Sequence, residues 1–179
     1  MGLAPKRVTK PPYEAVQLAN TFVGRYGREQ IITHMKLQKL CYFAYGWWLA
    51  LGDGQRLSAS GPQVWKLGPV FQPIYSAFAS HRNEPIRDTK KVSPFSSNFT
   101  IEPNDGLPNE LVDWVWERYG HYSGIQLSDM THEKGTPWYR VAEKHNFRIP
   151  RFQELPDDEI RPYFLELAEK EGLSPLVGQ

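Results

Sequence analysis

A single cysteine, Cys41, in 179 residues leaves no partner for an intramolecular disulfide. No stretch approaches the roughly 20 apolar residues needed to span a bilayer, and Met1 to Lys6 lack the apolar core of a secretory signal. A cytoplasmic location and no membrane partner are therefore expected. Charge of one sign is missing too: 21 Lys and Arg face 20 Asp and Glu, for a formal net charge of +1. That balance argues against a nucleic-acid binder, whose phosphate contacts demand a basic face. The catalytic signatures are also absent. There is no Gly-x-Ser-x-Gly elbow, and Gly52-x-Gly54 lacks the rest of any phosphate-loop fingerprint. His132-Glu133 is not followed by a second histidine at zinc-protease spacing, and His34, His121 and His145 are scattered. Cys41 falls inside a helical stretch, away from the termini where a helix dipole lowers a thiol pKa. An enzyme, a metal and a cofactor are not expected.

What the chain does hold is aromatic surface: six Trp, nine Tyr and nine Phe. At this length one domain can bury roughly 70% of the surface its unfolded chain exposes. The periodicity predicts a mainly α fold, a compact single-domain helical bundle. Residues 1–12, with Lys6, Arg7 and Lys10, read as a basic disordered tail. From Tyr13, Leu18, Ala19, Phe22, Val23 and Tyr26 recur at helical spacing, and Gly27 is placed to stop the helix at positive φ. The strongest helix runs over 33–51, capped by Thr33. Leu37, Leu40, Cys41, Ala44, Tyr45, Trp48 and Leu51 form its stripe, while Phe43, Trp47 and Leu49 lie off it. A helix apolar nearly all round is a central one. Residues 63–67 predict a short extended element that Gly68-Pro69 breaks. A short helix follows with Pro73 in its first turn and Ile74, Tyr75 and Phe78 inward. Residues 82–106 form a long irregular connection, with one short strand expected near Phe99-Thr100-Ile101. Helices return from Pro108 to Tyr119, after Ser123, after Thr136-Pro137 and from Asp157 or Asp158, with Pro162 marking a first turn or a kink.

Three segments carry a family resemblance. Thr33 to Trp47, reading THMKLQKLCYFAYGW, is similar to a leading "LKLQKLLYYAQGW" helix; Val64 to Val70, VWKLGPV, with Tyr75 following, is similar to "AWKYGPVxPxxY". Leu127 to Trp138, LSDMTHEKGTPW, is similar to "LSxxTHxxxxPW". Together they resemble the phage-associated GepA-like proteins of the Panacea domain over about residues 13–145. Residues 146–179 then form a linker, helix and tail packed on that domain. Cys41, Phe43 and Leu67 replace commoner residues of the pattern with ones of similar size.

The resemblance implies an antitoxin that binds and neutralises a co-encoded toxin. Its SocA-like branch implies a proteolytic adaptor handing that toxin to an ATP-dependent protease such as ClpXP. Delivery and simple masking stay open as alternatives. So do a small phage-derived enzyme, a nucleic-acid binder and a homo-oligomeric scaffold.

The candidate partner-binding residues are Lys36, Lys39, Trp47, Lys66, Tyr75, His132 and Trp138. Desolvated Trp and Tyr dominate interface energy, and lysines can meet an acidic partner surface. Each has a structural alternative. Trp65 and Trp138 can be core, Lys36 and Lys39 solvated flanks of the central helix, and His132 a buried hydrogen-bonding residue fixing the turn before Trp138.

Overall fold

The computed structural model describes residues 10–95 and 99–176; most of the expected N-terminal tail, residues 1–9, lies outside them. The chain is mainly helical, with helices α1 (Ala15–Tyr26), α2 (His34–Leu51), α3 (Gln72–Phe78), α4 (Gly106–Tyr119), α5 (Gly124–His132), α6 (Pro137–Lys144) and α7 (Asp157–Glu171). A 3-10 turn, Ala79–His81, follows α3. Two three-residue strands, β1 (Gln63–Trp65) and β2 (Gly68–Val70), pair antiparallel, with Val64 opposite Pro69. No helix among the described residues is long and apolar enough to cross a membrane.

Helix α2 is the axle. Thr33 Oγ1 caps it by accepting from the Lys36 amide at 3.3 Å. Every residue from Lys36 to Leu51 is buried, because α1, α3, α4, α5, α7 and β2 all pack around it. The off-stripe Phe43, Trp47 and Leu49 thus find neighbours of their own. Helix α7 approaches α2 at Gly46, where a Cβ would fall 2.2 Å from the Phe164 ring. That contact seats Phe164 edge-on against Trp47, centroids 5.2 Å apart, and against Tyr42 at 5.9 Å. Pro162 lies in the second turn of α7 rather than the first.

The described residues of the connection between the 3-10 turn and α4 are irregular, as expected, and two polar residues of α1 hold them. Asn20, fully buried, donates to the carbonyls of Lys90 and Phe99 at 2.7 Å each and accepts from the Lys90 amide at 2.9 Å. Thr21 Oγ1 accepts from the Ile101 amide at 3.0 Å. These bonds correct the expectation of a strand at 99–101: side chains of α1 take the backbone groups a neighbouring strand would need.

Other local expectations change as well. Gly68-Pro69 does not end the extended element but opens its return strand, with Gly68 at φ +98° allowing the turn. Gly27 closes α1 at φ −66°, not at positive φ. It is needed because a Cβ would sit 2.7 Å from the Val23 carbonyl oxygen and 2.8 Å from that of Ile86.

Candidate functional site

The three segments that carry the resemblance converge on the β1–β2 hairpin. Buried carbonyls must find donors, and this turn meets that demand with side chains from three helices. Trp138 Nε1, on α6, donates to the Trp65 carbonyl at 2.8 Å. His132 Nε2, at the end of α5, lies 3.0 Å from the Lys66 carbonyl. Ser128 Oγ donates to that of Leu67 at 2.9 Å, and Lys39 Nζ, on α2, to that of Pro69 at 3.0 Å. Gln38 then brackets Phe71, donating to its carbonyl at 3.2 Å and accepting from its amide at 2.9 Å. His132 is held further by Nδ1, 2.6 Å from the Ser128 carbonyl, and its ring rests on Trp138 with centroids 3.9 Å apart.

The clamp carries buried charge-bearing groups. Lys39 is 1% exposed, and burial pulls its amine down to about 7. His34, one turn before Gln38, is held below the usual imidazole value by burial and then by the nearby His81 and Lys39. Burial raises the Cys41 thiol far above its ordinary value, which removes it as a nucleophile.

On its far side the hairpin borders a groove of about 800 Å³. One wall is Trp65 and Tyr75, with ring centroids 4.8 Å apart, the other the segment 147–152 that links α6 to α7. Trp138 lies between them, with its indole N–H spent on the hairpin. Phe147 and Phe152 form the rim, 52% and 58% exposed, and both adopt left-handed backbone at φ 59° and 62°. A bulky side chain at positive φ is a strained outlier. Lys66, from the hairpin tip, and Arg151 are the charged residues of the lining.

The sequence candidates therefore separate. Lys66, Tyr75 and Trp138 meet in the groove, joined by Trp65; Tyr75, expected on the inner face of α3, is 41% exposed and turns to the groove instead. His132 lies behind them as the hydrogen-bonding residue. Trp47 does not line the groove: it is fully buried on α2, donating from Nε1 to the Tyr119 hydroxyl at 2.9 Å. Lys36 and Lys39 are not solvated flanks either. Lys36 donates to the Gly120 carbonyl at 2.5 Å and sits 5.1 Å from the Trp116 ring centre, and Lys39 serves the hairpin. Both are drawn inward because buried carbonyls, not solvent, are within reach of their stems.

Phe147, Arg151 and Phe152 were absent from the sequence candidates. The stretch Asn146 to Phe152 has no helical period, and its alternation of phenylalanine with arginine was the available signal.

The molecule thus places an open aromatic groove beside a braced hairpin on a helical core. The comparisons give the family. The profile described as Antitoxin SocA-like, Panacea domain, matches residues 37–139. Over 133 residues the chain is 31% identical to Antitoxin SocA of Caulobacter vibrioides (strain NA1000 / CB15N), covering 72% of this chain and 70% of that protein. No solved structure matches. The chain belongs to the SocA-like antitoxin family with a Panacea domain.

Proposed function

We propose that this chain neutralises a co-encoded toxin protein by binding it in the groove between the β1–β2 hairpin, α3 and the 147–152 segment. Membership of an antitoxin family supports an antitoxin role. The observation that carries the proposal to this place is the clustering of Trp65, Tyr75, Trp138, Phe147 and Phe152 around one open concavity, two of them strained at the rim. Rings held rigid on a braced scaffold lose little entropy when a partner covers them. Lys66 and Tyr75 act as direct contacts, Trp138 as contact and brace, and His132 as a positioning residue. No step of this function requires catalysis.

The finer reading is delivery: the antitoxin holds the toxin and hands it to an ATP-dependent protease. It comes from the resemblance to the SocA-like branch and would place the chain in the cytoplasm with its toxin. Co-expression with the adjacent reading frame should rescue cells from that frame's toxicity, and the two products should co-purify. Absence of both rescue and complex would refute the antitoxin role for that pair. The half-life of the toxin separates the two modes. Delivery shortens it in protease-proficient cells only, whereas masking leaves it unchanged or longer.

A further inference from the structure

The groove is specific about charge. Its charged lining residues are Lys66 and Arg151, and neither has an ion pair among the described residues. Arg151 rests on the Phe152 ring at 4.7 Å, a position from which a carboxylate can still reach its guanidinium. The wall segment adds neutral donors: the amides of Ile149, Arg151 and Phe152 meet no acceptor among the described residues.

Those features select among occupants. An aromatic enclosure without cations would suit a quaternary ammonium or a lysine side chain, but Lys66 and Arg151 repel both. A purely apolar ligand would cover Lys66 and Arg151 without offering either a counter-charge. A polypeptide main chain offers both N–H and C=O, and acidic side chains on it complement the two cations. Acting on the reading that the groove is the partner site, we infer that it takes a linear segment of the partner in which Asp or Glu residues flank a large apolar anchor. The anchor enters between Trp65 and the Phe147–Phe152 rim, and the flanking carboxylates meet Lys66 on one side and Arg151 on the other.

The test is selection of a phage-displayed random dodecapeptide library on the full-length protein, repeated on the variant Lys66→Glu/Arg151→Glu. Both positions are exposed, so the variant should fold, and circular dichroism with a melting curve checks this. The wild type is expected to enrich peptides with Asp or Glu within a few residues of Leu, Phe or Trp. The charge-reversed protein is expected to enrich Lys or Arg at those flanks, and to bind the wild-type winners about tenfold or more weakly. The same peptides from both proteins, basic peptides from the wild type, or no enrichment at all would overturn the inference. Pull-down with the neighbouring gene's product separates this idea from the function beneath it. If that product binds wild type and double variant equally, the antitoxin reading stands and the acidic occupant is refuted. If it binds neither while acidic peptides bind the wild type, the occupant stands and the antitoxin reading for that pair is refuted.

Discussion

The two sides of the β1–β2 hairpin are built on opposite rules. Toward the core, the carbonyls of Trp65, Lys66, Leu67, Pro69 and Phe71 each have a side-chain partner from α2, α5 or α6. Toward the groove, Lys66 and Arg151 have no ion pair and the amides of Ile149, Arg151 and Phe152 meet no acceptor among the described residues, and the two rim phenylalanines hold strained backbone. A folded protein at equilibrium saturates what it buries for its own stability; polar groups left unmet beside rigid rings are free to meet something else. The motif residues Trp65, Lys66, Tyr75 and Trp138 thus belong to scaffold and groove at once, while Phe147, Arg151 and Phe152 of the opposite wall lie outside the motifs.

The largest effect should come from breaking the core side. Trp138→Ala removes a buried ring, its tilted contact with His132 and the donor to Trp65. Deletions of this kind cost about 3–5 kcal/mol, a large part of the 5–15 kcal/mol that typically holds a domain together. Urea denaturation should register the loss, and a change under 1 kcal/mol would mean the hairpin is not braced as described.

Next in size is the pH dependence Lys39 imposes. Its amine titrates at about 7 in the folded chain against 10.5 as an ordinary lysine. Between those values the unfolded chain holds a proton that the folded chain lacks, so stability rises with pH across that span. At about 1.4 kcal/mol per unit of displacement, the rise should amount to a few kcal/mol. Above pH 10 the slope should reverse, because burial raises Tyr42, and burial with carboxylate bonds raises Tyr13 and Tyr45, so that unfolded tyrosines lose their protons first. At the acid end, the lowered His34 makes stability fall as pH drops through 6.5. Denaturation curves of wild type and Lys39→Met at pH 7, 8.5, 10 and 11 isolate the lysine: the variant should lose most of the rise, a part remaining because burial lowers Lys36 as well, and keep the fall above pH 10. Equal slopes in both proteins would show that Lys39 is not buried against the hairpin.

His132→Ala is the intermediate case. It leaves the Lys66 carbonyl without its side-chain partner, whereas the Ser128 carbonyl keeps the Thr131 hydroxyl; the loss should cost about 0.5–1.5 kcal/mol, and it loosens the hairpin tip that carries Lys66. Partner affinity should fall with stability, while His132→Gln, able to donate to one carbonyl, restores part of each. Full partner binding by His132→Ala at a temperature where it remains folded would remove its positioning role.

Much of this scaffold was legible from the sequence, because local signals and tertiary demands agree there. Thr33, Ser123 and Thr136 cap the helices they were expected to cap, and α2, apolar on every face, is wrapped on every side. The failures have a common cause. Lys36, Lys39 and Trp47 look like surface or interface residues by type, yet each is recruited by a distant buried oxygen: the carbonyls of Gly120 and Pro69 and the Tyr119 hydroxyl. No periodicity encodes a bond across 30 or 84 positions. The strand expected at 99–101 failed for the same reason, its backbone being claimed by Asn20 and Thr21. The groove was half legible. Lys66, Tyr75 and Trp138 could be chosen as amphipathic residues, but Phe147 and Phe152 belong to an aperiodic segment whose left-handed turns place them where they are.

The smallest stability effect, and the sharpest contrast, belongs to that rim. Phe147→Asn and Phe152→Asn each put a residue tolerant of the left-handed region where a bulky aromatic now stands, relieving strain of about 1–2 kcal/mol. Against that gain, Phe147 loses an edge contact with Tyr139, centroids 5.4 Å apart, worth about 0.5–1.5 kcal/mol. Phe152 loses its contact with Arg151. The two terms nearly cancel, so the melting temperature of the double variant should stay within a few degrees of wild type. Its affinity for the partner should nonetheless drop by about tenfold or more, as expected when desolvated aromatic anchors are removed. Unchanged folding with weakened binding is the signature of strain kept for function. If the double variant melts far below wild type and binds normally once refolded, the rim serves the fold, and the two sides of the hairpin follow one rule.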